Sequence, residues 1–157
     1  MIDKYEEIID GERYIRLAPG DIHEAICTGL YKHIIDCMPS SSPVKILPIR
    51  SPITFSNNSV IRPDIALITL IGAKVWLAIE IIDSSDHKTD TVIKKNFYEE
   101  IKLPRLWVVD PRFENVEIYC QTPYGMTLNH IYAGKELLTD ISLPGFALQT
   151  YKSFEGK

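Results

Sequence analysis

Apolar positions in this chain mostly alternate with polar ones or gather in short runs, and they take helical spacing in two places. Residues 60–68 and 75–82 are runs rich in β-branched and aliphatic side chains. Gly72-Ala73-Lys74 lies between them, so the pair reads as a β-hairpin. Residues 105–109 form a third core strand, stopped by Asp110-Pro111, and residues 116–120 and 126–132 read as further strands. At the front, residues 8–17 suggest two short strands around an Asp10-Gly11 turn. Residues 45–49 are a weak strand, limited to a sheet edge by Pro48. Ile22, Ile26, Leu30 and Ile34, with His33 and Cys37, recur at helical spacing behind Asp21, the expected N-cap. A Ser/Pro loop at residues 39–43 stops that helix. Residues 88–101 predict a second helix with Val92, Ile93, Phe97 and Ile101 on its apolar side. A Leu143-Pro144-Gly145 turn precedes the last elements. This order predicts a mixed α/β (α+β) fold with a largely antiparallel sheet.

The chain has 157 residues, which favours one domain over residues 1–157 with a core of its own. Its 45% hydrophobic and 24% charged content is that of an ordinary globular protein. The longest apolar stretch is interrupted by Arg62, Asp64, Lys74 and Glu80, so no membrane span is expected. The acidic first residues do not read as a signal peptide, and a cytoplasmic location is the default expectation. Cys27, Cys37 and Cys120 form no Cys-x-x-Cys pair, and their odd number argues for reduced thiols. A net charge of −4 counts mildly against nucleic-acid binding by bulk electrostatics. Acidic metal ligands would lower the charge of a metal-free protein, and a local basic patch can still meet phosphates. The chain contains no phosphate-cradling Gly loop, no Gly-x-Ser-x-Gly elbow and no His-Glu-x-x-His helix.

The candidate chemistry centres on Asp64 and Glu80. A hairpin symmetric about Gly72 places them directly opposite each other, with Cβ atoms about 4.5–5.5 Å apart. Two carboxylates that close repel, and burial raises their pKa. On this reading a divalent cation with a preference for oxygen ligands, such as Mg²⁺, is the natural occupant. Without metal, removing one acid is expected to relieve repulsion. The Ile81 backbone carbonyl is a further candidate ligand. His33, His87 and His130 show no ligand spacing. Asp83 and Asp86 read as a solvated turn, and Trp107 and Tyr98 as core. For Arg62, phosphate binding and pairing with an acid both stay open.

Asp10-Gly11-Glu12, the helix near His23, Arg62-Pro63-Asp64, Glu80-Ile81-Ile82, Trp107-Val108-Val109-Asp110-Pro111 and Leu143-Pro144-Gly145-Phe146 occur in a telling order. The ordered set resembles the Uma family of endonucleases, within the PD-(D/E)XK, or restriction-endonuclease-like, superfamily. The resemblance implies a restriction-endonuclease-like core and Mg²⁺- or Mn²⁺-dependent hydrolysis of DNA. It implies Asp64 and Glu80 as catalytic metal ligands. The superfamily Lys, two residues after the second acid, is Ile82 here. The family's Asp-x-x-x-Lys-x-x-x-Tyr helix is matched by Asp90, Lys94 and Tyr98, so the resemblance offers Lys94 as a catalytic replacement, with Lys95 as its rival. An ordinary helix-surface pair of Asp90 and Lys94 is the other reading.

The chain also departs from the family pattern. Asp83-Ser84-Ser85 stands where the family has Ser-Pro-Ser. Ala25 stands where the family often has Glu, and Glu24 lies one residue earlier, about 100° around the helix. His23 could assist the metal site or touch phosphate, or lie at the surface. The rival to a nuclease is a catalytically inactive module of the same fold that binds nucleic acid or a protein. A third reading is an interaction protein working as a homodimer, with a structural acidic pair.

Overall fold

The computed structural model describes residues 4–83 and 89–156. Most of the expected turn after Asp83 lies outside the described residues, as does the Asp90 side chain. The chain opens with β1 (Lys4–Ile9) and β2 (Glu12–Leu17), an antiparallel hairpin. Its two turn residues, Asp10 and Gly11, both have positive φ, at 52° and 82°. That backbone matches the right-handed twist of the strands, and it is why Asp-Gly serves there. Helix α1 (Asp21–Cys37) follows. Its cap is Gly20, and Asp21 is its first helical residue, where its charge favours the N-terminal end of the helix dipole.

Next come β3 (Val44–Ile46), β4 (Ile53–Phe55), β5 (Ser59–Ile61), β6 (Ile65–Thr69) and β7 (Val75–Ile81). A π-helical turn, Thr89–Ile93, leads into α2 (Lys94–Glu100). The chain ends with β8 (Arg105–Asp110), β9 (Asn115–Thr122), β10 (Gly125–Ala133), β11 (Leu137–Leu138), β12 (Leu148–Gln149) and a 3₁₀ turn. One sheet has six strands in the order β10-β9-β8-β7-β6-β3. Only its β7–β8 pair is parallel, and α2 lies on the crossover between them. A second sheet has the order β2-β1-β5-β4. The fold is thus mixed α+β with a largely antiparallel main sheet, as the sequence predicts.

The run at 60–68 is not one strand. Pro63 donates no ladder hydrogen bond and pushes Arg62 away from a regular continuation. The chain changes sheets there. Val60 pairs with Ile8 in the smaller sheet, whereas Ile65 pairs with Ile79 in the larger one. Arg62-Pro63-Asp64 is the link. The β6–β7 register is centred on Gly72, as expected, with one irregularity near the turn.

The centre of the main sheet is covered on both faces, whereas its edge strand β10 is largely exposed. Leu77, Ile79, Ile81, Trp107 and Val109 pack with Ile26, Leu30 and Ile34 of α1. Ala78, Ile82, Leu106 and Val108 pack with Phe97 and Tyr98 of α2. Two details of the helices differ from expectation. The buried stripe of α1 is His23, Ile26, Cys27, Leu30 and Ile34, with Ile22 turned outward. On the second helix Val92 is exposed and Lys94, Phe97 and Tyr98 are buried. A π turn accommodates an extra residue, which rotates the following face by about 100° and breaks the predicted stripe.

Candidate active site

The site forms where β6 and β7 separate. Strand β6 begins at Ile65, one residue after Asp64, so the β7 peptide at Ile81 has no strand partner on that side. The Asp64 carboxylate takes the place of the missing strand: its Oδ2 accepts the Ile81 N–H at 2.8 Å. The Ile81 carbonyl points to the same side, because N–H and C=O of one strand residue share a direction. It accepts a hydrogen bond from His23 Nε2 at 2.9 Å. The same Nε2 is 3.3 Å from Asp64 Oδ2. A carbonyl can only accept, so Nε2 carries the proton. On the other ring edge, Nδ1 faces Glu24 Oε1 at 3.4 Å, which suits an imidazolium. Arg50 closes this half of the site, donating to Asp64 Oδ1 at 3.0 Å and to Glu24 Oε2 at 2.6 Å.

Glu80 alternates to the other face of β7, beside Ala78 and Ile82, and meets α2. Tyr98 donates its hydroxyl to Glu80 Oε2 at 2.5 Å, and the Lys94 ammonium lies 2.6 Å from the same oxygen. Lys94 Nζ is also 2.9 Å from Glu7 Oε2. Glu7 in turn binds Arg16 at 2.6 Å and accepts the Arg62 backbone N–H at 2.8 Å. Glu7, Asp64, Glu80 and Lys94 are all at most 3% exposed. Lys95 turns elsewhere, its ammonium 4.2 Å from the centre of the Tyr119 ring.

Each of these buried carboxylates has a positive partner, with Lys94 shared by Glu7 and Glu80. The expectation that burial leaves the two acids raised and repelling is therefore corrected for Asp64. Burial does push its pKa up, but the His23 hydrogen bond and charge, the Lys94 charge and the Ile81 N–H outweigh it and hold Asp64 at about 2. For His23, burial pulls downward, yet the hydrogen bond to Asp64 and its charge lift the imidazole from 6.5 to about 9. The Tyr98 hydroxyl is pushed well up by burial and by the adjacent Glu80 charge.

A pH dependence of stability follows from the Asp64–His23 pair. Asp64 is depressed on folding, so its contribution is present above pH 3.8 and is lost as pH falls through about 2. His23 is raised, so its contribution is complete below pH 6.5 and is lost as pH rises through about 9. Metal-free protein is expected to be most stable between these limits, with about 2 kcal/mol at stake on the acid side. Urea midpoints measured across this range check it. His23→Asn should flatten the alkaline limb; an unchanged limb would reject His23 as its source.

Two pockets meet at this site. One, of about 250 Å³, is lined by residues including Tyr5, Arg16, His23 and Asp83. The other, of about 520 Å³, is lined by residues including Asp21, His23, Ile82, Asp83 and Arg112. Both are lined by His23 and Asp83, and His23 is the residue that joins them to Asp64; Glu7, Asp64, Glu80 and Lys94 line neither. Asp110 steadies that rim by accepting two guanidinium hydrogen bonds from Arg112, at 3.0 and 2.9 Å.

Of the residues singled out in sequence, Asp64, Ile81 and His23 meet directly, and Glu80 meets Lys94 and Tyr98. Glu24 reaches the site through Arg50 and His23. Arg62 contributes backbone, and its guanidinium donates to the Arg50 carbonyl at 3.3 Å. His33 and His130 lie outside the site, donating from Nε2 to the Ala147 carbonyl and to the Glu136 carboxylate respectively. Sequence reasoning missed Glu7, Arg16 and Arg50. The only signal for Glu7 and Arg16 was a charged residue at an inward-facing strand position. Arg50 sits in a turn with φ of 54° and carries no periodic signal.

A family model, Uma2, described as "Putative restriction endonuclease", matches residues 2–150. No curated protein matches the chain. A crystal structure of a "putative nuclease belonging to DUF820" from Anabaena variabilis ATCC 29413 is similar in fold. It has a TM-score of 0.77 and 15% identity, over 96% of this chain and 90% of that one. At that identity the likeness concerns the fold.

Proposed function

The chain belongs to the Uma2 family of restriction-endonuclease-like nucleases, and from that premise we propose that it hydrolyses DNA phosphodiester bonds with Mg²⁺ or Mn²⁺. The observation that carries this reading is the opened end of β6 and β7. There a buried carboxylate and a freed peptide carbonyl face one point beside His23, which lines two pockets. Asp64 Oδ2 and the Ile81 carbonyl both lie near His23 Nε2, at 3.3 and 2.9 Å. With the Glu80 carboxylate, held on the α2 side of β7 by Lys94 and Tyr98, they would make an oxygen-only donor set, which suits a hard cation. Among the described residues, no three His, Cys, Asp or Glu side chains gather into a ligand cluster. Water and substrate oxygens would complete the coordination.

Asp64, Glu80 and the Ile81 carbonyl would hold the cation. When bound there it would polarise the phosphoryl oxygen and lower the pKa of a water. His23 would have to yield the Ile81 carbonyl, and Glu24 would keep it on the α1 side. Lys94 stands in for the Lys that Ile82 replaces. Its ammonium would orient the attacking water or offset charge on the phosphate. Tyr98 fixes the Glu80 rotamer by its hydroxyl.

One observation favours the inactive-module reading: Arg16, Lys94, Arg50 and His23 already neutralise Glu7, Glu80 and Asp64. Nicking of supercoiled DNA separates the two. A nuclease is expected to relax the plasmid with Mg²⁺ or Mn²⁺ and to stop with EDTA. Binding of DNA with no cleavage under either metal would remove the nuclease reading and leave the module.

Among the described residues no helix is long and apolar enough to cross a membrane.

A further inference from the structure

We infer that Glu7, on the N-terminal hairpin, is a positioning residue that holds the Lys94 ammonium at the active site. The inference rests on the nuclease reading above. Glu7 is fully buried, although it comes from the smaller sheet and from the N-terminal hairpin, far in sequence from Lys94. A carboxylate so placed is costly unless its oxygens are occupied. Both are. Oε1 accepts from Arg16 at 2.6 Å, and Oε2 receives the Arg62 N–H at 2.8 Å and the Lys94 ammonium at 2.9 Å.

That saturation decides what Glu7 does. With both oxygens held by fixed donors, it is poorly placed to serve as a cation ligand. It is well placed to hold Lys94. Lys94 also touches Glu80, at 2.6 Å, so its ammonium bridges a carboxylate from each sheet. In the proposed reaction Glu80 is committed to a divalent cation, and two positive charges then compete for one carboxylate. Glu7 remains with Lys94, keeping the ammonium beside the reacting phosphate and lowering the cost of that competition. The Arg62 N–H adds a second consequence. Glu7 pins the backbone two residues before Asp64, so one side chain orients both the Lys and the link that carries the first acid.

A double-mutant cycle on the full chain tests this, with Glu7→Gln, Lys94→Met and the combination. Glu7→Gln is expected to lower kcat about 10–100-fold with KM little changed, the usual scale for a residue supporting the reacting groups. In the Lys94→Met background the same change should cost less than about twofold, because its effect passes through Lys94. Mg²⁺ binding by calorimetry should stay within about threefold of wild type, since Glu7 is not assigned as a ligand. A second readout needs no metal: the Lys94 ammonium signal in ¹⁵N NMR, sharp in wild type, should broaden or shift in Glu7→Gln.

If Glu7→Gln folds poorly, Glu7→Gln with Arg16→Gln removes both charges of that pair, leaves Lys94 with Glu80, and is read in the same way. Equal losses in both backgrounds, an unchanged kcat, or an unchanged ammonium signal would overturn the assignment. So would loss of the folded state in both variants, which would make Glu7 structural. A tenfold or larger change in Mg²⁺ binding would make it a ligand instead. A wild type that cuts nothing removes the nuclease reading; a wild type that cuts and a Glu7→Gln that cuts equally well removes only this inference.

Discussion

Asp64→Ala and Glu80→Ala are each expected to lower metal-dependent cleavage by about 10³-fold or more, since each removes a charged oxygen ligand worth several kcal/mol at the transition state. The two changes should differ in stability. Asp64 binds His23, Arg50 and the Ile81 N–H. Its removal leaves a buried imidazolium and an unsatisfied peptide N–H, and breaking a buried pair of this kind costs about 3–5 kcal/mol. His23 can lose its proton and Arg50 keeps Glu24, so the cost should fall at the low end of that range. The sequence-based expectation had the opposite sign, because it treated Asp64 and Glu80 as a repelling pair. Asp64→Asn is therefore the sharper variant. It keeps an acceptor for Ile81 and nearly the same shape, and should fold, yet lose the charge a cation needs. Initial rates beside thermal melts decide the matter. An Asp64→Asn protein that is folded and cuts at the wild-type rate would sink the site assignment.

Lys94→Met should be the most damaging single change to the metal-free fold. Lys94 is 1% exposed and lies between Glu7 and Glu80, at 2.9 and 2.6 Å. Without it two buried carboxylates lose a shared counter-charge, and the expected destabilisation is about 3–5 kcal/mol. Cleavage by the remaining folded protein should fall about 10²–10³-fold, the scale for losing one well-placed electrostatic donor. Lys95→Met is the control. Its ammonium lies over the Tyr119 ring, half-buried, and the contact is worth about 1 kcal/mol. Urea midpoints and single-turnover rates for the pair measure both effects. Loss of cleavage in Lys95→Met with retention in Lys94→Met would reverse the assignment of the Lys.

Much of the scaffold is written locally. A strand shows its two-residue period, and a Gly with φ of 84° marks the hairpin turn. Gly72 therefore predicts the register that puts Ile65 opposite Ile79. Asp64 and Glu80 stand out because a charge inside an apolar run is costly wherever that run packs. Lys94 is legible for a weaker reason, its place in a helix pattern shared with a family. What periodicity cannot report is which partner a buried charge finds. His23 reads locally as a residue near a helix start, because nothing nearby in sequence tells that it meets a peptide 58 residues away. Glu7 and Arg16 look like ordinary hairpin charges until the smaller sheet covers α2. Arg50 is a turn residue until the turn folds against Asp64.

The break at Pro63 joins the two levels. The sequence by itself determined that a ladder hydrogen bond would be missing there, since proline has no N–H to give. Only the tertiary structure decided that the chain would change sheets at that point, freeing the Ile81 peptide and bringing Glu7 to Lys94. The physical reason is that local sterics act between neighbours along the chain, whereas a buried ion pair is favourable only when distant elements supply both charges and exclude the water between them.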